Sequence, residues 1–281
     1  MRLVRYRAAD ATIAVGVQAD GVTRRLAVSG IAALLAGSGD AFRAALATAG
    51  PVEVGEIDLL APVDGATEVW AAGVTYRRSR DARMEEAREA DPYDRVYEAD
   101  RPELFFKSVA WRVRGPGQSI GVRSDSTMDV PEPELALVLT ATGEIVGYTV
   151  CNDMTSRSIE GENPLYLPQA KTYAGACALG PAILVEHEPR TFEVEATVTR
   201  SGTSIWSGRI STAEIVRTLP DLAAWLFAGQ DFPAGAILST GTGLVPALGF
   251  SLEAGDSVTV AIDGIGTLTN LVVRGKDLGD D

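Results

Sequence analysis

The stretch DVPEPELALVLTATGEIVGYTVCND, residues 129–153, decides the fold predicted for this chain. Two apolar runs, 135–139 and 145–151, lie on either side of a connection that contains Gly143. Strand-like runs separated by a short glycine-containing segment are typical of a β-hairpin. The stretch therefore predicts two antiparallel strands at the centre of the molecule.

Acidic residues stand at both ends of this hairpin. Side chains alternate across a strand, so Glu132 and Glu134 share one face, and the returning strand brings Asp153 close to them. Three converging carboxylates repel one another unless a cation neutralises them, and Mg²⁺ prefers such oxygen ligands. An E-x-E at the start of a strand is also typical of a solvated sheet edge that discourages aggregation. The neighbouring segments have to decide between the two interpretations.

Composition limits the classes of protein to be considered. A chain of 281 residues can form one large domain, or one domain with a small companion. The formal charge of −13 argues against a nucleic acid or an anionic membrane as partner. The chain has no apolar run of about 20 residues and no secretory signal at its start, so we expect a cytoplasmic protein.

Cysteine and histidine usage excludes several kinds of site. The two cysteines, Cys151 and Cys177, lack CxxC spacing and lie among small or apolar residues, which indicates reduced core thiols. The only histidine, His187, is flanked by glutamates in a predicted surface turn. A Ser-His-Asp triad or a histidine-rich zinc site would have to use it, so both are disfavoured.

The composition changes near residue 66. Residues 1–62 are predicted to form a small N-terminal α+β domain, with two short strands followed by a helical region over 31–46. Residues 66–275 are expected to form the larger, β-rich catalytic domain, and 276–281 a frayed tail. The clearest amphipathic helix is predicted at 212–228, broken in its middle by Pro220.

Two segments around the hairpin are candidates for a functional site. The charged segment 77–101 has helical Glu/Arg spacing, which is typical of a solvated helix and also suits a lid over a pocket. Residues 154–180 have little periodicity and are predicted to form a long loop, a feature that is often functional. Arg157 and Lys171 are the only cations in that loop. Lys171 either forms a structural ion pair with a glutamate or is held beside the three carboxylates.

Eight ordered motifs across residues 66–275 resemble the fumarylacetoacetate hydrolase family: AAGVTYRRS, LFFKS, PEPELALVL, GYTVCNDMTSR, QAKTY, LGP, STGTG and DGIGTLTN. The resemblance implies a mixed, mostly antiparallel β-sandwich roll with few helices, usually behind a small N-terminal domain. It also implies a homodimer or homotetramer. We therefore expect a mixed, mostly β fold.

The resemblance also implies a site. Its metal ligands fall on Glu132, Glu134 and Asp153, and the expected ion is Mg²⁺, with Mn²⁺ or Ca²⁺ as alternatives. Its active-site lysine falls on Lys171 and its substrate-contacting arginine on Arg157. The remaining predicted substrate contacts are the Gly-Thr turn at Gly241 and Thr242, together with Lys107, Ser108, Tyr76 and Gln169.

One departure from the family pattern decides between reactions. Hydrolases of the family carry G-x-N-Y-x-x-H-x-x-E, whereas this chain has GVTYRRSRDA, with Ser79 at the histidine position and Ala82 at the glutamate position. The water-activating dyad is therefore absent. The segment GENPLYLPQAK resembles the 2-keto-3-deoxy sugar-acid dehydratases of the family, which also lack the dyad.

The resemblance thus favours a metal-dependent hydro-lyase that acts on a small-molecule 2-keto acid such as 2-keto-3-deoxy-D-arabinonate. Enolate formation and loss of the C4 hydroxyl would follow removal of a C3 proton. Lys171 is the leading candidate for the base, with Glu85 or Glu86 of the charged segment as the alternative. An acylpyruvate hydrolase or decarboxylase, and a non-catalytic keto-acid-binding protein, are the competing functions.

Overall fold

Strands dominate the computed structural model of the chain, which describes residues 1–86, 91–186, 188 and 190–279, and side chains within these ranges except at 82, 83, 85, 86 and 91–93. The first strands are β1 (Arg2–Arg7), β2 (Ile13–Ala19), β3 (Val22–Arg25), β4 (Asp58–Leu60), β5 (Glu68–Gly73), β6 (Glu103–Val109), β7 (Ile120–Val122) and β8 (Asp129–Val130). They are followed by β9 (Pro133–Leu139), β10 (Ile145–Asp153), β11 (Thr155–Ser156), β12 (Cys177–Val185), β13 (Glu193–Arg200), β14 (Thr203–Ser211), β15 (Ala236–Ser239), β16 (Ser257–Ile262) and β17 (Gly266–Arg274).

Helices are short and few within the same ranges. They are α1 (Ile31–Leu35), α2 (Gly39–Ala47), α3 (Arg77–Glu86), α4 (Asp91–Glu98), α5 (Arg157–Glu162), α6 (Leu167–Lys171) and α7 (Leu219–Phe227), with 3₁₀ turns at Ala110–Arg112, Pro164–Tyr166 and Thr212–Glu214. None of these described helices has the length and apolar character needed to cross a bilayer. The prediction of a mixed, mostly β fold is confirmed.

The predicted hairpin lies inside the largest sheet. This ten-stranded sheet has the order β3-β2-β1-β12-β10-β9-β15-β5-β6, with β4 paired to β1. Its pairs are antiparallel except for β15 with β5. A second sheet has the order β14-β13-β16-β17-β7, and β8 pairs with β11. The strands of residues 1–60 thus extend the main sheet, and their status as a separate domain stays a prediction.

Strand β9 has apolar neighbours on both faces, which explains its continuous apolar sequence. Leu135 and Leu137 pack in the core between the two sheets, whereas Ala136 and Val138 pack on the opposite face among residues that include those of α1 and α2. All seven residues of the strand are buried. Burial on both faces fixes the register of the hairpin, because a shift by one residue would exchange the two sets of side chains.

Two sequence predictions about helices were wrong. Pro220 does not break a long helix; it lies in the first turn of α7, where a missing N–H leaves no hydrogen bond unmade. Thr218 caps this helix by accepting a hydrogen bond from the Asp221 N–H at 3.2 Å. Residues 154–180 are not one irregular loop, since α5 and α6 form within them. Pro168 lies in the first turn of α6, which positions Lys171 at its end.

Candidate metal centre and active site

The hairpin register brings the three predicted carboxylates together. Glu134 lies opposite Cys151 in the β9–β10 ladder, and the Asp153 N–H donates to the Glu132 carbonyl oxygen at 2.9 Å. One carboxylate oxygen from each of Glu132, Glu134 and Asp153 lies within 4.8 Å of the other two. All three residues are buried, at 3% exposure or less.

Three cations surround this carboxylate triad, which we define as Glu132, Glu134 and Asp153. Lys171 Nζ donates to Glu132 Oε2 at 2.6 Å and to Asp153 Oδ2 at 3.1 Å. Lys107 Nζ pairs with Asp153 Oδ1, and Arg157 Nη2 donates to Glu132 Oε1 at 3.0 Å. Burying this many charges is tolerated because Glu132 and Asp153 are paired with cations and each accepts at least one hydrogen bond from them.

Glu134 has a different environment from the other two ligand candidates. Its Oε2 accepts hydrogen bonds from the Ser239 hydroxyl at 2.6 Å and from the Gly241 N–H at 2.8 Å. Burial, followed by the neighbouring charge of Asp153, raises the pKa of Glu134 well above its ordinary range. A bound cation would favour its ionised form.

A glycine is required at position 241 for this arrangement. Gly241 has φ +89°, and a Cβ built on it would collide with the Thr75 hydroxyl. Gly241 belongs to the turn that was predicted to contact substrate, but its N–H is directed at Glu134. Thr242 lines the adjacent cavity, and its Oγ1 accepts from the Leu244 N–H at 3.0 Å, so the hydroxyl hydrogen can still be donated to a ligand.

A cavity opens onto the carboxylate triad. Its described lining includes Arg157, Lys171, Gly241 and Thr242 from the predicted set. Four of the eight residues that the motifs singled out beside the triad thus line this cavity.

Four of the predicted substrate contacts are not among the described residues that line this cavity: Lys107, Ser108, Tyr76 and Gln169. Lys107 is 1% exposed and lies behind Asp153, where it also donates to two backbone carbonyls. Ser108 is buried and donates to the Val109 carbonyl at 3.0 Å. Tyr76 is buried against Gly243, and Gln169 is exposed at a separate surface groove. A direct contact of these four with substrate stays an untested prediction.

The cavity also contains residues that the sequence reasoning missed. Its lining includes Glu103, Glu160 and Phe105. Glu103 and Phe105 lie two residues apart on β6, so they share a strand face with Lys107, and that period was visible in the sequence. A carboxylate at position 103 also needs Gly73 beside it, since a Cβ there would collide with the Glu103 side chain.

Some predictions fall outside the described residues. The side chains of Glu85 and Glu86, the alternative bases, are not described, although the backbone of both belongs to α3. His187 and the side chain of Ala82 are likewise outside the description. Ser79, at the histidine position of the hydrolase pattern, lines the cavity and donates to the Tyr76 carbonyl at 2.8 Å.

The residues present fit a hard divalent cation. The carboxylate triad supplies an all-oxygen donor set: Glu134 and Asp153 lie on the paired strands β9 and β10, Glu132 directly precedes β9, and all three are buried. The pKa of Glu134 is raised in part because Asp153 and Glu132 are close, a repulsion that a cation would relieve.

Comparison with known proteins places this site in a family. The family model described as the C-terminal region of fumarylacetoacetate (FAA) hydrolase matches residues 68–273, and the chain belongs to this family. The resemblance stated from the eight motifs is therefore confirmed.

Two relatives and one solved structure that the chain resembles are named as dehydratases of 2-keto-3-deoxy sugar acids. A probable 2-keto-3-deoxyxylonate dehydratase of Haloferax volcanii is 51% identical over 214 residues, which cover 75% of this chain and 73% of the relative. A 2-dehydro-3-deoxy-D-arabinonate dehydratase of Saccharolobus solfataricus is 38% identical over 233 residues, covering 80% and 78%. A solved structure of 2-keto-3-deoxy-D-arabinonate dehydratase complexed with magnesium and 2,5-dioxopentanoate matches with a TM-score of 0.85, at 33% identity over 98% of this chain and 99% of that one.

Proposed function

We propose that the chain is a magnesium-dependent hydro-lyase that dehydrates a 2-keto-3-deoxy sugar acid, such as 2-keto-3-deoxy-D-arabinonate, to a semialdehyde. The observation that carries the proposal is the buried carboxylate triad beside Lys171, at the wall of a cavity. Dehydratases among the relatives, one of them solved with magnesium and a keto acid, support it.

In this proposal Glu132, Glu134 and Asp153 hold the ion. A bound Mg²⁺ would supply Lewis-acid polarisation of the 2-keto group, which acidifies the C3 protons. The cations of the chain have a supporting role: Arg157 and Lys171 fix Glu132 from both of its oxygens. Thr242 is positioned to donate its hydroxyl hydrogen to the substrate.

The identity of the base depends on what Lys171 already contacts. Its Nζ donates to Glu132, Asp153 and the Thr155 hydroxyl, the last at 2.8 Å. Donating three hydrogen bonds requires the ammonium form of the lysine, which has no lone pair. In this arrangement Lys171 therefore stabilises negative charge and does not accept a proton. Glu103 is the cavity carboxylate outside the triad that is half-buried and suited to accept a proton. Lys171 as the base stays a prediction, and we propose Glu103 in its place because it lines the same cavity.

The reaction then balances with the residues of the chain. Glu103 takes one C3 proton, and the electron pair left at C3 expels the C4 hydroxyl. The same proton, returned from Glu103, completes the departing water molecule. The unsaturated product tautomerises to the semialdehyde without a further reactant.

The hydrolase and binding-protein alternatives are less well supported. Hydrolysis needs an activated water, and Ser79 at the position of the missing histidine donates its hydroxyl to a backbone carbonyl. A protein that only binds keto acids is disfavoured because three buried carboxylates held so close together are costly without a metal-dependent role. The homodimer or homotetramer stays a prediction from the family resemblance, and the cytoplasmic localisation stays a prediction from the sequence.

Replacement Glu134→Gln tests the proposal. The variant should lose the calorimetric heat of Mg²⁺ binding and the formation of semialdehyde, while its metal-free stability is not lowered, because a neutral amide oxygen can accept the same two hydrogen bonds. Glu56→Gln, at an exposed position, is the matched control. Dehydration or Mg²⁺ binding that survives in Glu134→Gln would refute the ligand assignment. Wild type that cleaves acylpyruvates but forms no semialdehyde would refute the dehydratase.

A further inference from the structure

One carboxylate oxygen of Glu134, Oε2, is fully engaged by donors of the protein. It accepts a hydrogen bond from the Ser239 hydroxyl at 2.6 Å and another from the Gly241 N–H at 2.8 Å. A carboxylate oxygen has about two lone-pair sites, so these two hydrogen bonds use both of them. Glu134 can therefore offer a metal ion its other oxygen, Oε1, but not Oε2.

The other two members of the carboxylate triad have both of their oxygens in contact with cations. Lys171 Nζ is shared by Glu132 Oε2 and Asp153 Oδ2, at 2.6 and 3.1 Å. Arg157 Nη2 donates to Glu132 Oε1 at 3.0 Å, and Lys107 Nζ pairs with Asp153 Oδ1. An ion that bound these residues through one oxygen each would compete with Lys171 alone. Binding through both oxygens would also mean displacing Arg157 or Lys107.

The order of strands in the main sheet places Ser239 beside Glu134. Ser239 is the last residue of β15 and lies opposite Ala136 of β9 and Ala71 of β5. Glu134 and Ala136 are two residues apart and share a strand face, so Ser239 is a diagonal neighbour of Glu134. The small alanine side chains leave room for the buried hydroxyl to reach the carboxylate. Of the two donors to Oε2, the hydroxyl is the one that a substitution can remove, because the Gly241 donor is backbone.

Carboxylates that bind through a single oxygen favour one class of divalent ion. Mg²⁺ requires near-ideal octahedral geometry and usually keeps several waters, so a few carboxylate oxygens are sufficient. Ca²⁺ takes about six to eight oxygen ligands and accepts both oxygens of one carboxylate. A triad that is limited to one oxygen from each member therefore withholds from Ca²⁺ the additional ligands that this ion prefers.

We propose that Ser239 is a specificity-determining residue of the metal centre: by occupying Oε2 of Glu134 it confines this ligand to one oxygen and makes the site selective for Mg²⁺ over Ca²⁺. The inference rests on the proposed function in one respect, which is that the carboxylate triad holds the ion. It adds to that function the reason for the choice of metal.

The first test is a calorimetric titration of the metal-free wild type with MgCl₂ and, separately, with CaCl₂. We expect the Kd for Mg²⁺ to be at least about tenfold lower than the Kd for Ca²⁺. Equal affinities, or a preference for Ca²⁺, would overturn the proposal without any variant.

The second test assigns the selectivity to the residue. Ser239→Ala frees one lone-pair site on Oε2, so Ca²⁺ should bind about tenfold more tightly than it does to the wild type, while the Kd for Mg²⁺ changes by less than about threefold. Thr240→Val is the matched control, because it removes a neighbouring buried hydroxyl that donates to the Leu135 carbonyl at 2.9 Å. This control should keep the wild-type ratio of the two Kd values.

Circular dichroism checks that both variants are folded. A folded Ser239→Ala variant with the wild-type ratio would overturn the proposal, as would an equal change of the ratio in both variants.

These outcomes separate from those of the proposed function. A wild type that prefers Mg²⁺, and loses this preference in Ser239→Ala, but forms no semialdehyde would leave the role of Ser239 standing and refute the dehydratase. A Mg²⁺-dependent dehydratase that binds both ions equally would do the reverse.

Discussion

Replacing Lys107 with methionine is expected to destabilise the metal-free protein while strengthening its response to Mg²⁺. Lys107 is 1% exposed and forms an ion pair with Asp153. Its Nζ also donates to the Met154 carbonyl at 3.0 Å and to the Lys171 carbonyl at 2.6 Å. Methionine has nearly the same length and volume, so the change removes the charge and the donors without leaving a large void.

The expected loss can be estimated from these contacts. Removing one partner of a buried ion pair leaves the other charge uncompensated and costs about 3–5 kcal/mol. Lys171 still contacts Asp153, with Nζ 3.1 Å from Oδ2, which places the expected loss toward the lower end of that range. A bound divalent ion would supply a positive charge beside Asp153. We therefore expect Mg²⁺ to bind the variant about tenfold more tightly than the wild type. This tighter binding offsets about 1.4 kcal/mol of the lost free energy of unfolding.

The assay is denaturant unfolding of wild type and Lys107→Met, once in EDTA and once with saturating Mg²⁺. The difference in the free energy of unfolding should be about 3 kcal/mol in EDTA and smaller by about 1.4 kcal/mol with the ion. Lys276→Met is the control, because Lys276 is exposed and its loss should change neither value.

Two results would refute this reasoning. A loss below about 1 kcal/mol in EDTA would mean that the buried ion pair contributes no more than an exposed one. A difference that Mg²⁺ does not reduce would mean that the ion does not neutralise Asp153, and the ligand assignment would then be wrong.

Two further predictions concern Glu134 and Gly73. Because the pKa of Glu134 is raised in the folded protein, the folded metal-free protein binds more protons than the unfolded chain at any pH between the ordinary and the raised pKa. The free energy of unfolding measured in EDTA should therefore fall as the pH rises through that window. A Glu134→Gln variant whose stability has the same slope against pH would contradict this. Gly73→Ala should push the Glu103 carboxylate away, because a Cβ at position 73 collides with it. Both the exchange of the C3 hydrogen with deuterium and dehydration should then be about 10²-fold slower, while the calorimetric affinity for Mg²⁺ is unchanged. A parallel loss of metal binding would show general damage to the site.

Short-range patterns in the sequence were enough to predict the hairpin and its acidic end. Alternation along residues 132–139, together with the length of the turn, fixed which side chains share a face, because a strand repeats every two residues. Glu132, Glu134 and Asp153 could therefore be brought together without any knowledge of the rest of the fold. Both cysteines, predicted as reduced core thiols, are buried and free.

Prolines were interpreted less well, because their effect depends on where a helix begins. Pro220 and Pro168 lie in first turns, a position that sequence spacing could not distinguish from a helix interior or an irregular loop. The segment 154–180 looked irregular because α5 and α6 are too short to show a helical period.

By itself, then, the sequence determined the hairpin, the carboxylate triad and the family, since these depend on neighbours along the chain and on ordered motifs. Tertiary structure alone decided that Lys107 lies behind Asp153, that Glu103 and Glu160 share the cavity, and that the Gly241 N–H is directed at Glu134. The physical reason is that these contacts join residues far apart in sequence, and which of them meet is set by the order of strands in the sheet and by how its faces are covered.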